Sequence, residues 1–233
     1  MGGRIYRGDD QAVLGLPEIG RLHIGQKSEK GYPMSIDWFR ATGKYSDLFE
    51  RIFGKPNTIQ IVFPSDDAEK VCNERFTYRD NSGALVASGD GKIFYIWNGS
   101  KYIPLSIDEY PNLTESVAKK YPTKRGLDNW DIELTLRFIV PAVRGVVGVW
   151  ALTTKGAASS VKNLRDSFDS VLAMRGTVTT SVFDLSVHFH KSNKPGQSSR
   201  YPVLELVCND NRIEQIQELL RPESTTKNLL VSK

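Results

Sequence analysis

A two-residue alternation of apolar and polar side chains is the feature that most restricts the fold of this 233-residue chain. It is clearest between Trp130 and Val140, where the apolar positions are Trp130, Ile132, Leu134, Leu136, Phe138 and Val140. Successive side chains of a β-strand point to opposite faces, so the pattern predicts a strand with one buried and one solvated face. Pro141 and Gly145 then turn the chain, and residues 146–153 supply a partner strand.

Closely spaced turn residues between Arg75 and Leu105 predict a β-meander. The turns are expected at residues 81–83 (Asn-Ser-Gly), at residues 89–91 (Gly-Asp-Gly) and at Asn98-Gly99. Asn-Gly is the preferred pair in two-residue hairpin turns, because both residues tolerate a positive φ.

Apolar residues at helical spacing indicate two helices. One covers residues 47–53 between an N-cap at Ser46 and a stop at Gly54, and the other covers residues 161–174 before Gly176. A last helix is expected at about residues 211–220. Hairpins, not parallel crossovers, join the strands. The predicted fold is therefore α+β, with largely antiparallel sheets and a few short helices in two lobes.

The polar, proline-containing stretch after the meander is the best candidate for a boundary between these lobes. The predicted division is an N-terminal arm at 1–20, a β-rich lobe at 21–110, a connection at 111–126, an α+β lobe at 127–221 and a polar tail at 222–233.

The net charge is only +4, from 31 Lys and Arg against 27 Asp and Glu. Proteins held to DNA mainly by phosphate contacts carry more clustered positive charge. The charge therefore argues against a protein that holds DNA by itself mainly through phosphate contacts. No apolar run approaches the roughly 18–20 residues of a membrane span, and the first residues lack the apolar core of a signal peptide. We expect a cytoplasmic protein that does not cross a membrane.

The motifs of the common enzyme classes are missing from the sequence. Lys155 lies between a strand and a helix, as a P-loop lysine does, but the glycines of that motif are absent, and no GxSxG or HExxH sequence occurs. Cys72 and Cys208 are far apart in the sequence and are expected to be buried thiols. We therefore predict no catalytic residue and no cofactor.

His188 and His190 are the candidate metal ligands. Residues two apart on a strand share a face, so both imidazoles could bind one ion. The alternative is the solvated face of an amphipathic strand, and we favour it because no third ligand has a recognisable spacing. A metal-dependent hydrolase is accordingly the least favoured function.

The segment from Lys191 to Arg200 is basic and contains no acidic residue. Its cations Lys191, Lys194 and Arg200 are the first candidates for binding a partner protein or nucleic acid, and Lys155 is the next. An ordinary solvated hairpin loop is the alternative. Aromatic residues beside basic ones, as at Tyr78-Arg79 and Lys101-Tyr102, keep a nucleic-acid-binding α+β module of a phage recombination or CRISPR type open as a function.

Four short segments resemble the larger recombination directionality factors of phage serine integrases, the type found in actinophages and Listeria phages. They are residues 21–42 (RLHIG, KGYPMS and FRAT), residues 62–67 (VFPSDD), residues 83–91 (GALVASGDG) and residues 136–156 (LRFIVP, GVW and TKG). The likeness extends from Arg21 to Val207.

The resemblance implies a non-catalytic phage or prophage protein. Such a factor binds its large serine integrase on attachment-site DNA and switches it from integration to excision, the attL × attR reaction, while the integrase supplies the nucleophilic serine. Direct contact with DNA remains open. No contact residue of the family is carried over to this chain.

Overall fold

The computed structural model describes residues 15–124, 130–191 and 200–209, which form eleven strands and four α-helices. The strands are β1 (Glu18–Lys27), β2 (Pro33–Thr42), β3 (Thr58–Ile61), β4 (Cys72–Arg79), β5 (Leu85–Gly89), β6 (Ile93–Trp97), β7 (Tyr102–Ser106), β8 (Trp130–Phe138), β9 (Val149–Thr154), β10 (Phe183–Lys191) and β11 (Arg200–Cys208). The helices are α1 (Ser46–Phe53), α2 (Ala68–Val71), α3 (Leu113–Lys120) and α4 (Lys162–Arg175), and a π-helical turn at Ala157–Val161 precedes α4. The predicted helix at 211–220 and the polar tail lie outside the described residues.

These strands form two sheets, and the predicted α+β class is confirmed. The larger sheet has the order β2-β1-β9-β8-β4-β5-β6-β7, and all of its pairs are antiparallel except β1 with β9. The smaller sheet is antiparallel, with the order β11-β10-β3. The predicted lobe boundaries stay a prediction. Strands from both sides of residues 111–126 pair within the larger sheet, and β1 begins inside the predicted arm.

The larger hydrophobic core lies between the two sheets and α4. Phe63 is at its centre, with its ring 5.0 Å from that of Phe168 on α4 and 5.1 Å from that of Phe183 on β10. Edge-on aromatic pairs of this kind add about 0.5–1.5 kcal/mol beyond the burial of their area. The alternation that predicted β8 is confirmed, since Leu134, Leu136 and Phe138 are fully buried in this core.

A second, smaller core lies between the meander and α3. Tyr78 is fully buried there against Trp130, and its hydroxyl donates to the carbonyl oxygen of Tyr121 at 2.8 Å. Leu113 and Val117 supply the apolar face of α3. The meander strands are confirmed, although the last turn is centred one residue later than predicted, on Gly99-Ser100, since the Asn98 N–H donates to the carbonyl of Lys101.

Helix termini show which local predictions were right. Gly176 ends α4 in the left-handed conformation, with φ of 75°, as expected of a glycine after a helix. The N-cap predicted at Ser46 is wrong, because Tyr45 takes that position and the Ser46 hydroxyl donates to the carbonyl of Gly43 instead.

Candidate partner-binding surface

The polar face of the larger sheet forms a groove of about 570 Å³. Its floor contains residues that pair across β4 and β8, namely Asn73 with Thr135 and Arg75 with Glu133, and also Thr77 of β4. The short helix α2 contributes Glu69 and Lys70 to one wall. The polar positions of β8, which alternate with its buried residues, therefore line a concave, charged surface.

A buried carboxylate organises the charges at one end of this groove. Glu133 accepts from Arg79 at 3.2 Å and forms an ion pair with Lys155 at 2.9 Å, and Lys155 also contacts Asp131 at 3.2 Å. Burial by itself raises the pKa of Glu133, but the hydrogen bonds from Arg79 and Lys155 outweigh it, so the pKa lies below its ordinary value. Lys155, a predicted contact residue, is thus ion-paired on the sheet.

Arg137 also lines the groove, but unlike Lys155 it is not ion-paired to any described residue. It is half-buried, and within the described part of the chain its guanidinium has neither a hydrogen bond nor an ion pair. Burial lowers its pKa, the carboxylate of Glu18 opposes this, and the charges of Arg21 and Arg75 add to the lowering. Arg75 itself donates to Asn73 at 2.8 Å. Two guanidinium groups with unused donors therefore face the groove, which suits the binding of a carboxylate or a phosphate.

Exposed aromatic and aliphatic side chains lie on the same face of the sheet as these arginines. Tyr95 on β6 lines the groove, and Ile93 and Tyr102 lie on the same face of the sheet. All three are more than two-fifths exposed. Tyrosine and arginine are enriched at the centres of protein–protein interfaces, because they combine apolar area with polar groups.

The hairpin β10–β11 carries the other predicted contact residues. Lys191 and Arg200 are opposite each other in its last pair and are both exposed, and the Arg200 guanidinium lies 5.1 Å from the centre of the Phe189 ring. Lys194 lies outside the described residues. The structure therefore brings Lys191 and Arg200 together, whereas Lys155 lies on the other sheet, paired with Glu133 of the groove.

The two candidate metal ligands lie on the outer face of this hairpin. The rings of His188 and His190 are 4.7 Å apart, and His188 Nε2 lies 3.2 Å from Glu205 Oε1 on β11. Sequence reasoning missed Glu205. The signal was present, since alternation within residues 201–207 places Tyr201, Val203 and Glu205 on one face, and the hairpin brings that face beside the histidines.

The cysteines are separate from both surfaces. Cys72 is buried at the start of β4, and burial raises the pKa of its thiol to about 12. Cys208 is partly buried at the end of β11, and the two cysteines are not joined by a disulfide. The expected burial is therefore confirmed for Cys72 and only in part for Cys208.

Most of the chain matches a known protein family. The model of the Gp3-like family, described as recombination directionality factor-like, matches residues 19–209. The chain belongs to this family. No curated protein and no solved structure gave a match.

The resemblance predicted from the four short segments is thereby confirmed. The region shared with the recombination directionality factor-like family begins within β1 and ends just after β11, so it includes both sheets, the groove and the hairpin. Across the described residues, no helix combines the length and the apolar character needed to span a membrane.

Proposed function

We propose that this protein is a non-catalytic recombination directionality factor of a phage or prophage. It binds a large serine integrase on attachment-site DNA in the cytoplasm and switches it from integration to excision, the attL × attR reaction. The observation that carries this proposal is the match of the recombination directionality factor-like family over residues 19–209. The integrase supplies the nucleophile, and this chain supplies binding energy.

The physical task of such a factor is to favour one integrase conformation over another. A ligand shifts a two-state equilibrium only through its difference in affinity for the two states. Reversing a ratio of about 1:99 needs roughly 10⁴-fold preference, or about 5.5 kcal/mol. The groove, with several charged side chains and Tyr95, offers contacts that can differ between the two conformations.

We place the integrase-binding site in the groove, with Arg75 and Arg137 as the central contacts. A half-buried guanidinium without a partner is unfavourable in the free protein, and an acidic side chain of the integrase would satisfy it. Tyr95 beside these arginines supplies apolar area. The cations Lys191, Lys194 and Arg200 of the hairpin form a second contact, to the integrase or to the DNA that it holds.

The first experiment compares excision with and without this protein. The cognate large serine integrase is mixed with attL and attR DNA, and excision product is expected only when the protein is added. Equal product in both reactions would contradict the proposed function.

Arg137→Gln then tests the groove. Losing the charged contact should weaken integrase binding about tenfold, which corresponds to about 1.4 kcal/mol. The thermal midpoint should stay the same or rise, because an unpaired charge leaves a half-buried site. Arg144→Gln is the matched control, since Arg144 is exposed in the loop between β8 and β9. Equal integrase affinity of the two variants would remove the groove from the interface.

A nucleic-acid-binding module is the second candidate, favoured by the exposed pair Lys191 and Arg200. It predicts that the protein alone binds DNA tightly, with an affinity that falls steeply as salt rises. The double variant Lys191→Glu with Arg200→Glu would then lose this binding. Weak binding of the isolated chain with intact binding of the integrase complex would favour the directionality factor.

A further inference from the structure

We propose that His188, His190 and Glu205 form a binding site for a divalent transition-metal ion, with Zn²⁺ as the probe. His188 and His190 are two of the three histidines in the chain. One donor atom from each of the three residues lies within 4.8 Å of the other two. Imidazole nitrogens and a carboxylate oxygen are a common three-ligand set for zinc.

The spacing of the donor atoms suits a tetrahedral ion. Bonds of about 2.0–2.1 Å at tetrahedral angles hold ligand atoms roughly 3.3 Å apart. His188 Nε2 and Glu205 Oε1 are 3.2 Å apart and therefore already have this separation. The ring of His190 lies 4.7 Å from that of His188, centre to centre, and it is exposed, so a change of side-chain torsion brings its nitrogen into place.

The strands below these side chains hold them on a rigid base. β10 pairs with β11 along its whole length and with β3 over its first half. Val187 and Leu204 face each other across the hairpin and are buried in the larger core. Sites built on strands keep their ligands more accurately placed than sites on loops.

The surroundings leave room for a ligand besides the protein. His188 and Glu205 are each about two-fifths exposed, at 39% and 43% of their side-chain surface. An ion bound here would keep an open position for water, as three-ligand zinc sites do. It would also connect the two strands within a few residues of Lys191 and Arg200, and it would add positive charge beside them.

The simpler explanation is a polar contact between His188 and Glu205 alone. That contact accounts for the 3.2 Å distance, but it gives no role to His190. The two explanations therefore differ in what His190→Asn does. Loss of this imidazole removes a metal ligand and leaves the contact between His188 and Glu205 intact.

The experiment titrates the full-length, chelator-treated protein with Zn²⁺ in competition with a coloured zinc indicator. We expect one ion per chain, and binding at least about tenfold weaker in His188→Asn, His190→Asn and Glu205→Gln. His23→Gln is the control, because His23 is the third histidine and lies on β1, where it is hydrogen-bonded to Thr42 at 2.9 Å. This variant should bind zinc as the unaltered protein does.

Three results would overturn the proposal. They are no stoichiometric uptake of zinc by the unaltered protein, unchanged affinity in His190→Asn, and equal loss of affinity in His23→Gln. The far-ultraviolet circular dichroism of each variant shows whether it is folded. Co²⁺ gives a second reading that does not depend on stability, since three-ligand tetrahedral binding produces visible absorption bands that each ligand variant should lack. Failure of this test leaves the proposed function intact, because integrase binding does not require the metal.

Discussion

At the residue scale, Glu133 shows how one carboxylate connects the core to the surface. It precedes Leu134, whose side chain is buried on the core face of β8, and its own side chain points to the groove on the other face. Only 11% of the Glu133 side chain is exposed. Its partners Arg79 and Lys155 keep it ionised despite burial. If the Glu133 carboxylate were removed, Arg79 and Lys155 would lose their shared partner, and Asp131 would be the remaining carboxylate in contact with Lys155.

Glu133→Gln should therefore lower the free energy of unfolding by about 1–2 kcal/mol at neutral pH. The pKa of Glu133 is lower in the folded state than in the unfolded state. Its stabilising effect is present above the unfolded value of 4.5 and is lost as the pH falls through the folded value. The difference between the two proteins in urea unfolding should shrink accordingly in acid.

The matched control is Glu115→Gln on α3, whose carboxylate pairs with Lys119 at 2.7 Å on the surface. Exposed helix pairs contribute about 0.3–0.5 kcal/mol, so little change is expected. A difference for Glu133→Gln that stays constant from neutral to acid pH would show that ionisation has no part in its effect.

At the scale of elements, β1 has a different neighbour on each side. It pairs with β9 in the only parallel pair among the described strands, and it pairs with the edge strand β2 in the antiparallel sense. Its two strand glycines, Gly20 and Gly25, have different surroundings. A Cβ on Gly20 would lie 2.4 Å from the ring of Trp150 and 2.9 Å from the carbonyl oxygen of Thr42. A Cβ on Gly25 would meet only the Met34 carbonyl oxygen, at an ordinary 3.6 Å.

Gly20→Ala should destabilise the protein by about 1–3 kcal/mol, because the buried indole or the β1–β2 pairing must move. Gly25→Ala should change the free energy of unfolding by less than about 1 kcal/mol, in either direction. The added Cβ meets no close contact, and alanine lowers the conformational entropy of the unfolded chain, which favours the folded state. Thermal unfolding of both variants measures this. A smaller effect at Gly20 than at Gly25 would show that the close approach to Trp150 is relaxed at no cost.

At the scale of the whole molecule, the larger sheet connects segments that are distant in sequence. β8 and β9, after residues 111–126, lie between β1 and β4, which come before them. Asp66 adds a further connection, since it accepts from the backbone of Val178 at 2.7 Å and of Thr179 at 3.2 Å. These backbone hydrogen bonds, Val178 first, lower the pKa of Asp66 against the opposing effect of burial.

Urea should therefore unfold the described region in one cooperative transition, although the chain has two hydrophobic cores. Trp150 lies in the larger core and Trp130 packs against the smaller one, so tryptophan fluorescence reports on both. Its midpoint should coincide with that of far-ultraviolet circular dichroism. Two separated transitions would instead support the predicted lobes as independent folding units.

Much of the fold could be predicted from the sequence because strand and turn signals are local. The alternation of β8, the turns of the meander and the stop at Gly176 depend on side chains within a few positions of each other. The cap predicted at Ser46 is wrong because the helix begins one residue earlier than the local signal indicates. Tyr45 takes the N-cap position, so Ser46 is the first helical residue and its hydroxyl donates to the carbonyl of Gly43.

The candidate site was only partly predictable. Lys191 and Arg200 were found because they are close in sequence, and the structure pairs them directly. Arg137 and Glu205 were not singled out as site residues. Their importance comes from neighbours on other strands, Arg75 in one case and His188 in the other.

Local patterns in the sequence are enough to predict β8 and its buried face, the strands of the meander and the family of the chain. The pairing of β1 with β9, the contact of Lys155 with Glu133 and the position of Glu205 beside two histidines follow only from the folded arrangement. This division reflects the range of the interactions. Alternation and turn preference act along a few residues of chain, whereas strand order and charge pairing are fixed by the packing of segments far apart in sequence.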